Sequence, residues 1–140
     1  MSKFTKNSAR NMFYGGSMFF FLVFLALTFD TIQKLPKRDH RENITVQVAL
    51  GKKVWEDNNC IGCHTLLGEG AYFAPELGNV YERRGGDYIK AWIEGQPTEV
   101  EGRRQMPQFN LSEEELDAMV AFLKWTNEIN TANWPPNIEG

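Results

Sequence analysis

Cys60-Ile61-Gly62-Cys63-His64 is the stretch of this chain that decides its fold. Two thiols lie three residues apart and an imidazole follows the second directly, which is the spacing typical of covalent haem attachment. In such a site each cysteine adds across one haem vinyl group, and the histidine becomes the proximal iron ligand. A redox dithiol and half of a zinc site also contain C-x-x-C, but no second C-x-x-C or H-x-x-x-H completes a zinc site here. We therefore predict one haem c, attached through Cys60 and Cys63 and bound by His64, with a redox dithiol as the alternative.

An uncharged apolar run precedes this motif at residues 12–29, MFYGGSMFFFLVFLALTF. As a helix it would be roughly 27 Å long, close to the hydrocarbon thickness of a bilayer. A cleaved signal peptide is the alternative, but the run exceeds the usual apolar stretch of about 7–15 residues and no A-x-A site follows before Asp30. A buried core helix is disfavoured because the run is apolar on every face. We predict that residues 1–34 form a cytoplasmic stub and a single transmembrane anchor.

Charge does not orient this anchor, because lysines and arginines lie on both sides of the apolar run. Covalent haem is attached on the outer side of an energy-transducing membrane. We therefore expect a single-pass protein of the bacterial inner membrane, with the haem domain in the periplasm. The net charge of −3 gives no reason to expect nucleic acid as a partner.

The remaining sequence predicts an all-α fold in which the single N-terminal transmembrane helix precedes one haem domain. Residues 35–45, with Pro36 and a charge run, predict a linker in which His40 is solvated. Residues 46–130 predict the haem domain and 131–140 an extended tail. Within the domain, 46–58 has an apolar helical stripe, Asp87 resembles a helix N-cap, and Ser112 to Glu115 form a capping box. No segment predicts a strand.

Met106 is the predicted second axial ligand of the iron, because it precedes Pro107 in a loop that could fold over the haem. The other methionines lie at the terminus, in the apolar run or on the apolar stripe of the last helix: Met1, Met12, Met18 and Met119. Thioether ligation favours ferrous iron and leaves no vacant iron position. We therefore expect a non-catalytic electron-transfer protein; a haem enzyme or gas sensor would need an open site.

Several of these features together resemble the class I cytochromes c: Gly51, Trp55, the CIGCH motif, Pro75, Leu77, Met106-Pro107, Phe122 and Trp125. The resemblance implies that the glycine of the first domain helix meets an aromatic residue of the last. It also implies that the backbone carbonyl of Pro75 accepts a hydrogen bond from His64, which would orient the ring and raise its basicity.

A narrower resemblance covers nearly the whole chain: the anchor, NNCIGCHTLLGEGAYFAPELGNV (58–80), ERRGG (82–86), RRQMPQFNLS (103–112), FLKWTN (122–127) and WPPN (134–137). This set is similar to the C subunits of bacterial nitric oxide reductases. It implies that electrons pass from a soluble periplasmic cytochrome c or cupredoxin to a b-type haem in a large polytopic catalytic subunit, which reduces NO to N2O in denitrification. A membrane-tethered cytochrome c shuttle, or the cytochrome c subunit of another haem–copper oxidase, is the alternative.

The loop at residues 66–75 carries large apolar side chains among glycines, so it either covers the haem edge or meets another protein. The resemblance favours both roles, with Gly70 and Tyr72 facing the catalytic subunit. It also implies a calcium ion at that boundary, for which the Gly70 carbonyl and a Tyr72 oxygen would be suitable hard ligands.

Overall fold

The structure is a computed structural model that describes residues 5–97 and 105–133. The chain divides after Lys37 into an N-terminal unit and a C-terminal unit.

The N-terminal unit is one long helix, α1 (Lys6–Lys34), followed by a 3-10 turn at Leu35–Lys37. Its first turn is capped by Thr5, whose side chain accepts a hydrogen bond from the Ser8 amide. No residue of α1 is buried, and the helical stretch Lys6–Lys37 is long and apolar enough to cross a membrane. The hydroxyl groups of Thr28 and Thr31 donate to carbonyls one turn earlier, so these polar groups are satisfied within the helix, as lipid requires.

The C-terminal unit contains four helices in its described residues. They are α2 (Val46–Asp57), α3 (Val80–Arg84), α4 (Gly86–Glu94) and α5 (Glu113–Glu128), with 3-10 turns at Arg41–Asn43 and Cys60–Gly62. A short antiparallel hairpin pairs β1 (Thr65–Leu66) with β2 (Glu69–Gly70), with Thr65 opposite Gly70. The predicted all-α class with one N-terminal apolar helix is confirmed; the hairpin is the one departure, since strands of two residues show no sequence period.

Helices α2 and α5 cross at Gly51 and form the centre of the core. A Cβ atom at Gly51 would lie 2.0 Å from the Ala118 carbonyl oxygen and 2.7 Å from Phe122 Cβ. This is the glycine–aromatic contact that the resemblance implies. The Trp55 and Phe122 rings pack beside it, 6.1 Å apart. The other buried apolar residues are Val48, Val54, Val80, Ile89, Ile93, Leu116, Met119 and Leu123.

One predicted helix start is confirmed and one is wrong. The Ser112 side chain accepts from the Glu115 amide at 3.3 Å, and the Glu115 carboxylate accepts from the Ser112 amide at 2.8 Å, which completes the capping box of α5. Asp87 is not an N-cap: it lies in the first turn of α4, whose N-cap is Gly85. Because α3 ends at Arg84, the chain must turn at once, and Gly85 does so with a φ of 79°.

The first and last described segments of the C-terminal unit meet. The Asn130 amide donates to the Arg38 carbonyl at 2.7 Å, and Arg38 Nε donates to the Asn130 carbonyl at 3.2 Å. Trp125 Nε1 donates to the His40 carbonyl at 3.3 Å. Part of the segment predicted as a linker therefore contacts the end of α5. The predicted tail lies mostly outside the described residues.

Candidate haem site

The C-x-x-C-H segment forms a tight turn directly after α2. Asn59 enters the turn with a φ of 51°, a left-handed conformation that asparagine tolerates better than most residues. The amides of Cys63 and His64 then both donate to the Cys60 carbonyl, at 3.1 and 2.9 Å. The two cysteines and the histidine are therefore held on one compact turn, with Cys63 exposed and Cys60 partly buried.

The turn borders a cavity of about 470 Å³, a size typical of small-molecule and cofactor sites. Four predicted site residues line it: Cys60, His64, Pro75 and Met106. Most of the remaining lining is apolar or aromatic: Phe73, Ala74, Leu77, Val80, Tyr88, Ile89, Trp92, Ile93, Phe109, Leu111, Met119 and Leu123. Cys63, Gly70 and Tyr72 do not line the cavity, and neither does His40.

His64 is oriented by the backbone of the following loop. Its Nδ1 lies 2.8 Å from the Pro75 carbonyl oxygen. Because a carbonyl can only accept, Nδ1 must carry the hydrogen, and in a neutral ring Nε2 then keeps its lone pair for a metal. Burial lowers the pKa of His64, although the Pro75 carbonyl and the Glu76 charge act in the opposite direction. The site thus favours a neutral imidazole with one nitrogen available.

Three backbone hydrogen bonds join the segment 71–77 to the motif and to the residue directly after it. The Ala71 amide donates to the Ile61 carbonyl at 3.0 Å, Ala74 to Cys63 at 2.8 Å, and Leu77 to Thr65 at 2.9 Å. Gly70 allows the close approach: with a φ of 120°, its Cβ would lie 2.3 Å from the His64 carbonyl oxygen. Gly70 is therefore required by the backbone, independently of any metal.

Glu76 is a site residue that the sequence reasoning missed. Its side chain is buried and accepts hydrogen bonds from three backbone amides: Leu67 at 2.8 Å, Gly68 at 3.2 Å and Gly78 at 2.7 Å. A carboxylate in a loop between a proline and a glycine was the available signal. Such a loop leaves backbone N–H groups without helical or strand partners.

Two arginines were also missed. Arg83 and Arg84 are the only lysine, arginine, aspartate or glutamate residues that line the described part of the cavity. Arg83 donates to the Asn79 side chain at 2.8 Å and to the Glu76 carbonyl at 2.7 Å, while the Arg84 guanidinium lies 5.4 Å from the centre of the Tyr88 ring. In the sequence they appear only within the ERRGG stretch, which by itself gives no sign of a cavity.

These residues fit a haem c. One thiol, an imidazole and a thioether border one apolar cavity, with the second thiol on the same turn, and guanidinium groups suit the two carboxylates of a haem. The redox-dithiol alternative fits less well, because a reactive cysteine needs a lowered pKa. Burial instead raises the pKa of the Cys60 thiol to about 11.

The predicted calcium ligands lie apart from the cavity. The Tyr72 side chain is 79% exposed, and its hydroxyl donates to the Gly68 carbonyl at 3.4 Å. Among residues 5–97 and 105–133, no group of three or more histidine, cysteine, aspartate or glutamate side chains is arranged to hold a metal ion.

Comparison with known proteins identifies the family. The cytochrome c family matches residues 48–127. The C subunit of nitric oxide reductase from Stutzerimonas stutzeri is 60% identical over 142 residues, which cover 98% of this chain and 97% of that protein. The proteins of the same name from Paracoccus denitrificans and Halomonas halodenitrificans are 54% and 48% identical, each over 145 residues that cover 97% of both chains.

The match over residues 48–127 defines a c-type cytochrome, a class that binds haem c covalently. The similarity over nearly the full chain is more specific. This chain belongs to the family of nitric oxide reductase C subunits.

Proposed function

We propose that this chain is the electron-transfer subunit of a nitric oxide reductase. The observation that carries the proposal is that His64 and Met106 line one apolar cavity beside Cys60. Relatives of 48–60% identity are named as C subunits of nitric oxide reductase, which supplies the reaction. When bound, a haem c would supply a one-electron iron couple.

The protein residues would fix the properties of that couple. Cys60 and Cys63 hold the group, His64 offers Nε2 to the iron, and Met106 offers its sulfur. With both of these side chains bound, the iron would have no open position for NO, so this chain would transfer electrons without itself being catalytic. The apolar lining limits water access, which makes the surrounding residues effective in tuning the potential.

The donor is a soluble periplasmic cytochrome c or cupredoxin, and the acceptor is a b-type haem in a polytopic catalytic subunit that forms a heterodimer with this chain. The helix Lys6–Lys37 supports this arrangement, because a single span can hold the haem unit in the periplasm beside a subunit of the inner membrane.

We further propose that the loop carrying Tyr72 faces the catalytic subunit. The exposure of Tyr72 supports this role, since a large aromatic side chain in water is unfavourable. A calcium ion at that boundary would take the Gly70 carbonyl and a Tyr72 oxygen as ligands.

The experiment that tests the function is isolation of the membrane complex followed by an anaerobic assay of NO consumption. Reduced soluble cytochrome c is the electron source, and rapid mixing follows the reduction of the c-type and b-type haems. We expect reduction of haem c to precede that of haem b, with N2O as product. If the chain purifies without a polytopic partner and consumes no NO, the tethered-shuttle alternative is correct instead.

A further inference from the structure

Glu76 occupies an unusual position, because a nearly buried carboxylate follows directly after the residue whose carbonyl orients His64. Glu76 is 9% exposed. A buried carboxylate is unfavourable unless its charge is well compensated by hydrogen bonds or a counter-charge. Here the compensation comes from the three amides of Leu67, Gly68 and Gly78.

Two of these amides, those of Leu67 and Gly68, belong to the hairpin turn, whose backbone conformation is unfavourable. Leu67 has a φ of 54° and Gly68 a φ of 86°, as a two-residue turn of this hand requires. A leucine in the left-handed region is sterically unfavourable. Charge-assisted hydrogen bonds from both turn amides to Glu76 offset that strain and tie the turn to the loop after Pro75.

The same residue is held on its backbone side. Its carbonyl oxygen accepts from Arg83 Nη2 at 2.7 Å, and the preceding loop is fixed by the Ala74 amide on the Cys63 carbonyl. The peptide that joins Pro75 to Glu76 is planar, so holding Glu76 at both its side chain and its backbone fixes the direction of the Pro75 carbonyl. That carbonyl is the acceptor for His64 Nδ1.

We propose that Glu76 is a positioning residue for the haem iron: it holds the Pro75 carbonyl on His64 and places a negative charge one residue beyond that carbonyl. Both effects increase electron donation to the iron and favour its ferric form, so Glu76 lowers the reduction potential. The inference rests on the ligation of haem by His64 proposed above.

The test compares three variants of the full-length haem protein. Glu76→Gln removes the charge and one acceptor oxygen while keeping the side-chain length. Glu76→Asp keeps the charge on a shorter side chain. Glu69→Gln is the matched control, because it removes the same charge from an exposed position on the hairpin whose turn amides bind Glu76.

We expect a positive shift of the haem midpoint potential in Glu76→Gln, a smaller positive shift in Glu76→Asp and no shift in Glu69→Gln. In both Glu76 variants, the amides of Leu67 and Gly68 should exchange hydrogen faster, and the NMR signal of His64 Nδ1–H should move or broaden. If Glu76→Gln does not accumulate, the comparison of Glu76→Asp with the control decides the question.

Faster amide exchange with an unchanged potential and an unchanged His64 signal would show that Glu76 only stabilises the turn, which overturns the proposal. An equal potential shift in Glu69→Gln would overturn it as well, because any charge on the hairpin would then suffice. A wild-type spectrum without a histidine ligand would refute the site itself. If instead the wild-type spectrum shows histidine ligation and the Glu76 variants have no effect, only the role of Glu76 is refuted.

Discussion

The backbone of Gly51 lies directly against the backbone of Ala118, where α2 crosses α5. Any Cβ at position 51 would sit 2.0 Å from the Ala118 carbonyl oxygen. A flexible side chain could move away from such a contact, but a helix backbone cannot without separating the two helices.

We therefore expect Gly51→Ala to lower the free energy of unfolding by about 2 kcal/mol, the usual range for overpacking, even though alanine favours helix more than glycine does. Denaturant unfolding of the haem-loaded protein in detergent measures it. Gln47→Ala, at an exposed position of α2, is the control and should change stability by less than about 0.5 kcal/mol. Equal stability of the two variants would contradict the close crossing.

Changing both Cys60 and Cys63 to serine should abolish covalent haem staining and the accumulation of folded C-terminal unit. The reason is that the unit is small and a cavity of about 470 Å³ borders its core, so the unit would lose much of its apolar packing without a group that fills this space. Haem staining of denaturing gels and proteolysis of membranes provide the two measurements. A stable, helical, haem-free protein would contradict the expectation and favour the dithiol alternative.

Replacing Met106 with histidine should keep a six-coordinate spectrum and lower the reduction potential, because an imidazole stabilises ferric iron more than a thioether does. Redox titration followed by visible spectroscopy gives both quantities. Met119→Leu is the matched control: this methionine also lines the cavity but lies in the core stripe of α5, so its loss should leave iron ligation unchanged. If the Met119 variant changes the ligation and the Met106 variant does not, the assignment is wrong.

The capping box should make stability depend on pH in the acid range. Hydrogen bonds from the Ser112 amide and hydroxyl hold the pKa of Glu115 below its ordinary value of 4.5. Because the folded-state pKa is depressed, the stabilisation is present above about pH 4.5 and is lost as pH falls through the folded-state pKa. Wild-type protein should therefore lose more stability than Glu115→Gln on acidification. If the free energies of unfolding of the two proteins differ by the same amount at every pH, the capping box does not make stability depend on pH.

Tyr72→Phe should weaken calcium retention by the isolated complex, or slow electron transfer between the two haems, while the haem c spectrum stays intact. The phenol oxygen is the only group removed, and it lies outside the haem cavity. Metal analysis and rapid-mixing kinetics measure the two effects. Tyr81→Phe removes a hydroxyl from α3 and serves as the control. Wild-type metal content and wild-type transfer rate in Tyr72→Phe would exclude Tyr72 from the calcium site.

Local chemistry explains which features were predictable. The thiol and imidazole spacing around Cys60 and the capping box at Ser112 are each complete within five residues, so the sequence alone defines them. The length and composition of the apolar run likewise predicted the N-terminal helix.

Features that depend on folding were not predictable in this way. Asp87 looked like a cap because the end of α3 at Arg84 could not be seen in advance. The role of Glu76 exists only once the hairpin turn lies against its loop, and Arg83 and Arg84 reach the cavity only because α3 lies beside it. The roles of Glu76, Arg83 and Arg84 leave no pattern in the local sequence, because each depends on contacts that form only when the chain folds.

The paired hydrogen bonds between Arg38 and Asn130 place the first residue of the C-terminal unit beside a residue that follows the end of α5. Circular permutation is tolerated where termini lie close together. Residues 38 and 130 could therefore be joined by a short link, and the chain opened elsewhere, with every helix of the unit kept in place. In the same way, an apolar helix appended after residue 130 would start beside residue 38, where α1 and its 3-10 turn connect to the unit, so the connectivity of the fold does not decide which end carries that helix.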